Sequence, residues 1–121
     1  MLKFGIQNGL NVARLGLTED QILTACSLAD KTGYHSIWYM DHSNVPQWSN
    51  AIVNDPWVML AGIAAVTNNV ELGTCVTDAL RRHPSNIALA SITLDRLSKG
   101  RGTLGIGAVS YTHLTLPTTP Y

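Results

Sequence analysis

The stretch SIWYMDH ends a mostly apolar run on two titratable side chains, Asp41 and His42. A carboxylate next to an imidazole suits proton handling, because histidine gains and loses protons near neutrality. The acid could accept a hydrogen bond from a ligand. The structural alternative is that Asp41 caps the following loop and His42 is solvated; spacing alone leaves both open. A second group, Cys75-Val76-Thr77-Asp78, follows another apolar run. No base lies near Cys75 in the sequence, so it reads better as a small side chain that lets something flat approach than as a nucleophile. Gly105 and Gly107, one residue apart, allow close backbone approach or a bend. Arg81-Arg82-His83 precedes a helix start, where it could grip an anion or form a solvated basic turn. Trp57 reads as core. Trp48, in the polar stretch from Ser43 to Asn54, fits either a lid over a ring or an ordinary loop aromatic.

The elements that must position these groups recur with a regular beat. Strand-like runs span Lys3 to Gln7, Ser36 to Met40, Val70 to Val76 and Gly102 to Ile106, with starts 33, 34 and 32 residues apart. Helix-period segments lie between them. The first opens on Thr18 with Gln21 three residues on, a capping box. Its expected buried face is Ile22, Ala25, Cys26 and Ala29, and Gly33 stops it. The second opens on Asp55-Pro56, an N-cap followed by proline at the first helical position. It should bury Trp57, Leu60, Ala61, Ala64 and Ala65, and end at Asn68-Asn69. The third starts near Pro84, should bury Ile87, Ala90, Ser91, Leu94 and Leu97, and ends at Gly100.

Alternation of strand and helix implies a parallel sheet. A beat near 33 residues fits one unit of an eight-fold barrel, where ~250 residues divide into eight parts of about 31. A doubly wound nucleotide fold would carry G-x-G-x-x-G after the first strand; the residues from Asn8 to Gly16 lack that spacing. The expected fold is therefore α/β, the N-terminal half of a (β/α)8 TIM barrel, with about four βα units. Barrel sites form at the C-terminal strand ends. Gln7 and Asn8, Asp41 and His42, Cys75 to Asp78, and Gly107 and Ala108 would all meet on that rim.

Lys plus Arg equals Asp plus Glu, giving net charge +0, which argues against a nucleic-acid partner. No apolar run approaches the roughly 20 residues of a membrane span, and the start lacks the pattern of a secretory signal. Cys26 and Cys75 fit neither metal spacing nor a disulfide framework. A reducing cytoplasm is the expected setting. From about Val109 the texture changes: VSYTHLTLPTTPY holds four threonines and two prolines in thirteen residues. We expect residues 1–108 to be the partial barrel domain and 109–121 a non-native tail, similar to translated adapter read-through at the end of a gene fragment. A genuine disordered terminus is the alternative.

The motifs FGIQN, SIWYMDH, DPWVMLAGIAAVTNNVELGTCVT, RHP, TLDRLSKGR and LGIG together resemble the luciferase-like superfamily of flavin- and deazaflavin-dependent oxidoreductases. The likeness covers nearly all of residues 1–107. Asp41-His42 and GTCVT resemble the branch that uses the deazaflavin coenzyme F420; FMN monooxygenases share most of the same motifs. The resemblance implies an isoalloxazine-type ring across the strand ends, backed by a non-proline cis peptide at Cys75-Val76. Asp41 would then contact ring or substrate, and His42 would exchange the proton coupled to hydride transfer. Thr77 would hydrogen-bond the cofactor and Gly107 would leave it room. The implied function is hydride transfer between F420 or FMN and a small organic substrate. The alternatives are an FMN-dependent monooxygenase that reduces O2 and a non-catalytic flavin-binding barrel. The complete parent is expected to be a homodimer. After LGIG the polar or acidic residues that often finish such sites are missing, so the fragment alone is expected to be inactive.

Overall fold

The computed structural model describes residues 1–8, 15–42 and 53–107. Its elements run β1 (Gly5–Asn8), α1 (Glu19–Lys31), β2 (Ser36–Tyr39), α2 (Pro56–Val66), β3 (Glu71–Thr74), β4 (Thr77–Asp78), α3 (Pro84–Leu97), β5 (Gly102–Thr103) and β6 (Ile106–Gly107). Strands β1, β2, β3 and β5 form one parallel sheet in that order, and β4 pairs in parallel with β6. Sheet order equals chain order, the arrangement of a barrel and not of a doubly wound sheet. Among the described residues no helix is long and apolar enough to cross a membrane.

The helices start and stop where local chemistry dictates. Thr18 and Gln21 make both capping-box bonds, at 2.9 and 3.3 Å. The Asp55 carboxylate accepts from the Trp57 and Val58 amides ahead of α2. Gly33 and Gly100 adopt φ of 88° and 86° beyond the ends of α1 and α3, a region that glycine enters without a Cβ penalty. His83, considered above as part of an anion grip, is the N-cap of α3, its ring accepting from the Ser85 amide.

The three helices pack on one face of the sheet. The core joins Ile22, Cys26 and Ala29 of α1, Trp57, Leu60 and Ile63 of α2, and Ile87 and Leu94 of α3 with Ile37, Val70 and Leu72. The expected faces need correction. Ala25, Ala65 and Leu97 are exposed, while Met59 and Ile63 are buried. Helix α2 lies between α1 and α3 and against the sheet, so its buried arc is broad and turned toward Met59 and Ile63.

Two expected strands are interrupted. The third stops at Thr74, short of Cys75-Val76, with a separate β4 beyond its expected end, and the fourth breaks into β5 and β6 around Leu104-Gly105. At the break a side chain replaces the ladder. The Thr74 hydroxyl donates to the Gly105 carbonyl at 2.7 Å and accepts from its amide at 3.2 Å.

At the end of the sheet where the strands begin, Asp30 and Arg101 satisfy backbone groups between elements. The Asp30 carboxylate accepts from the amides of Asn68, Asn69 and Val70 at 2.8–3.0 Å. Arg101 donates to the carbonyls of Ala64, Thr67 and Val70. Burial alone would raise the Asp30 carboxyl, but the Asn68, Val70 and Asn69 amides outweigh it and hold it below its ordinary 3.8. A depressed carboxyl stabilises the fold above the unfolded-state value and loses that contribution as pH falls through the folded-state value. Stability should therefore drop as pH goes below 3.8. Asp30→Asn should lower stability at neutral pH and flatten this acid limb, as read from urea midpoints across a pH series.

Candidate functional site

Among the described residues the sheet face opposite the helices, the side that turns inward in a barrel, is uncovered. Strand alternation sends Gly5, Gln7, Ser36, Trp38 and Gly73 to that face, and the bulky member is Trp38. Its indole N–H donates to the Ser36 hydroxyl at 2.9 Å. The ring extends over Gly73, where a Cβ would sit 2.6 Å from the ring edge and 2.8 Å from the Thr103 carbonyl. On the other side a Cβ at Gly5 would approach the indole nitrogen to 3.2 Å. Glycines on both neighbouring strands thus let the indole lie across the sheet as a floor.

Above this floor is a cleft of about 430 Å³ lined by Gln7, Trp38, Cys75, Val76 and Gly105 among others. Gln7 reaches across it, its amide donating to the Cys75 carbonyl at 3.4 Å with Sγ at 3.7 Å. The Cys75-Val76 peptide is cis, the conformation expected from the resemblance. Cys75 is exposed and Val76 half-buried. Gly105 makes the adjoining turn possible, because a Cβ there would overlap the Thr74 carbonyl oxygen. That obstacle is backbone and cannot swing aside. Gly105→Ala should cost about 1–3 kcal/mol, the usual range for overpacking. It should also weaken protection of the Thr77 amide, which donates to the Gly105 carbonyl at 2.8 Å; hydrogen exchange would read both effects.

Asp41 sits just behind the cleft, 1% exposed. Its Oδ1 accepts from Arg81 Nη2 and from Arg82 Nη2, the latter at 3.0 Å. Its Oδ2 accepts from Arg82 Nε at 2.7 Å, the Thr77 hydroxyl at 2.7 Å and the Asp78 amide at 3.2 Å. Burial pushes its carboxyl up, but bonds from Arg82, Thr77 and the Asp78 amide, with the Arg82 charge, hold it below the ordinary range. Arg82 also pairs with Asp55, the α2 cap. Its guanidinium is held above its usual value, chiefly by the bond to Asp41, against burial and with help from Asp55.

The expected site residues therefore divide. Gln7, Cys75 and Val76 come together at the cleft. Asp41 and Thr77 come together as well, but on each other and away from an open face. The fully buried Thr77 hydroxyl donates to Asp41 and accepts from the Trp57 indole at 3.2 Å. The space at Gly107 is filled by Val76, since a Cβ there would lie 2.8 Å from a Val76 methyl. Asn8 faces the helices and donates to Cys26 Sγ at 3.3 Å; burial pushes the Cys26 thiol up against that bond. His42 is half-buried at the end of β2, with no hydrogen-bond partner among the described residues. Trp48, Ala108 and the tail from residue 109 to 121 lie outside the described residues.

Arg81 and Arg82 belong to neither expected role. The anions they hold are the chain's own Asp41, Asp55 and Asp78. Their signal was an Arg pair after the third strand facing an Asp after the second, both on one rim. Among the described residues no cluster of His, Cys, Asp and Glu could hold a metal ion. A larger cavity, about 530 Å³, lies at the opposite end beside Lys3, Tyr34, His35 and Glu71. Barrel sites form at the other end, where the strands finish.

Comparison with known proteins gives the family and the fold. The family model for luciferase-like monooxygenases matches residues 6–115. A phthiodiolone/phenolphthiodiolone dimycocerosates ketoreductase of Mycobacterium tuberculosis is 33% identical, the match covering 88% of this chain and 32% of the relative. The oxygenating constituent of 3,6-diketocamphane monooxygenase of Pseudomonas putida, solved with FMN, superposes with TM-score 0.78 at 22% identity, covering 94% of this chain and 31% of that one. The coenzyme F420-dependent tetrahydromethanopterin reductase of Methanopyrus kandleri gives TM-score 0.74 at 24% identity, covering 97% and 31%. The chain thus spans about a third of the length of each of these relatives. It is part of a TIM barrel, and it belongs to the luciferase-like monooxygenase family.

Proposed function

We propose that the protein to which this chain belongs is an oxidoreductase that seats the ring of a deazaflavin or flavin in the Trp38–Cys75 cleft and acts on a small organic substrate. The observation that carries this reading is the cleft itself: a flat indole floor, glycine clearances on both sides and the Cys75-Val76 segment as one wall. Its volume of about 430 Å³ lies within the range of small-molecule sites. The residues present fit a planar ring, since they offer apolar surface, backbone, and the Gln7 amide that reaches across the cleft. When bound, the ring supplies hydride chemistry.

The chain's own residues bind and orient. Gln7, Trp38, Cys75 and Val76 hold the ring. His42, three residues past the end of β2, exchanges the proton that accompanies hydride transfer, a role typically worth 10²–10⁴-fold. FMN is favoured by the diketocamphane neighbour and F420 by the reductase neighbour; with FMN, oxygen reduction is the competing chemistry. Lumiflavin, which is the ring without a phosphate, tests the seat on this chain alone. Saturable quenching of tryptophan emission is expected, and it should be lost in Trp38→Phe. No quenching at any concentration would overturn the seat. Parallel titrations with FMN and F420, followed by visible absorption, decide between the cofactors. In the complete protein, His42→Ala should reduce turnover at least about a hundredfold with ring binding unchanged; full turnover would remove His42 from the mechanism.

A further inference from the structure

We propose that Asp41 is a positioning residue, part of a lock with Arg81, Arg82 and Thr77 that fixes the Cys75–Asp78 segment behind the ring seat without touching the ring. The inference rests on reading the cleft as that seat. A carboxylate offers about four acceptor positions on its two oxygens. Asp41 already accepts five hydrogen bonds: from Arg81 Nη2, Arg82 Nη2, Arg82 Nε, the Thr77 hydroxyl and the Asp78 amide. Its side chain is 0% exposed. No acceptor capacity and no surface remain for a ligand.

What those bonds hold is specific. Thr77 and Asp78 follow the cleft wall directly. The Thr77 amide donates to Gly105, another cleft residue, and its hydroxyl also takes the Trp57 indole N–H. Arg82 extends the lock to Asp55 at the start of α2. Arg81 leans toward Asp78, whose Oδ2 is buried without a hydrogen bond and lies 3.6 Å from Arg81 Nε. The end of β2, the cleft wall and the start of α2 are thus tied at one carboxylate. The forked guanidinium of Arg82 makes two of the bonds, a geometry a lysine does not reproduce.

Amide hydrogen exchange on the full chain tests the lock without any cofactor. Asp41→Asn and Thr77→Val should each speed exchange of the Thr77 and Cys75 amides at least about tenfold more than that of the α2 amides. Leu60→Ala, a core truncation, should speed all of them alike. Lumiflavin affinity, read from tryptophan quenching, should fall in Asp41→Asn and in Thr77→Val. The double variant should lose no more than the worse single one, as for residues acting through one path. Three results would overturn the lock: uniform acceleration in Asp41→Asn, additive affinity losses (the mark of a direct Asp41 contact), or faster Thr77 exchange with affinity unchanged. If wild type binds no lumiflavin, the ring seat falls, and exchange alone still decides whether Asp41 holds the segment.

Discussion

Asp41→Ala is expected to cost about 2–4 kcal/mol of folding stability, seen as a large drop in urea midpoint at neutral pH. Removing the acid strips partners from several groups at once. The Thr77 hydroxyl and the Asp78 amide lose their acceptor in the interior. Arg81 loses its closest counter-charge and Arg82 one of its two. Their side chains are 34% and 21% exposed, so water recovers part of that loss, and Arg82 keeps Asp55. This keeps the expected cost below that of a fully buried broken pair. Asp41→Asn should cost less, because an amide oxygen still accepts from Thr77. Linkage adds a pH signature. The Asp41 carboxyl is depressed, so its contribution is present above 3.8 and fades as pH falls below it. The alanine variant should therefore converge on wild type in acid. A loss under about 0.5 kcal/mol at neutral pH, the scale of an ordinary surface change, would mean the network stabilises nothing.

Leu60→Ala is expected to cost about 2–5 kcal/mol. Leu60 is 0% exposed and sits on α2, the helix that touches α1, α3 and the sheet. A truncation there removes contacts from every layer, and the regular elements around it leave little room to collapse. Single domains have only about 5–15 kcal/mol in total, so this variant should show a midpoint shift even where it stays folded. Val58→Ala, on the same helix but exposed, is the control and should shift little. Equal midpoints for the two variants would contradict the packing described for α2.

The architecture was legible because its punctuation is local. Thr18 with Gln21, Asp55 with Pro56, and the stops at Gly33 and Gly100 each act within a few residues, and each falls where the sequence places it. The parallel order followed from the repeat, since a fixed strand–helix period has few compact solutions. The helix faces were read less well: periodicity marks an apolar stripe but not how many neighbours will cover it, and α2 has three.

The site was legible only in part, for a related reason. The converging positions are visible because parallel strands finish on one side. What each side chain does there depends on contacts far apart in sequence. Arg81 and Arg82 look like a solvated basic turn until Asp41, 40 and 41 residues upstream, is folded against them. Thr77 looks available for a ligand until Asp41 and Trp57 take its hydroxyl. The breaks in the third and fourth strands depend on Thr74 meeting Gly105, 31 residues away. Gln7 and Trp38 were the opposite case. Strand alternation alone sends them to the open face, a signal present in the sequence that points to the cleft floor and its cross-link.

The most direct measurement is a two-dimensional NMR titration of isotopically labelled chain with lumiflavin. Shifts should centre on the Trp38 indole N–H, the Gln7 side-chain amide and the backbone of Cys75 and Val76, while Asp30 and Arg101 at the other end stay fixed. Shifts centred instead on Tyr34, His35 and Glu71, or spread evenly over the molecule, would contradict a ring seat in the Trp38–Cys75 cleft.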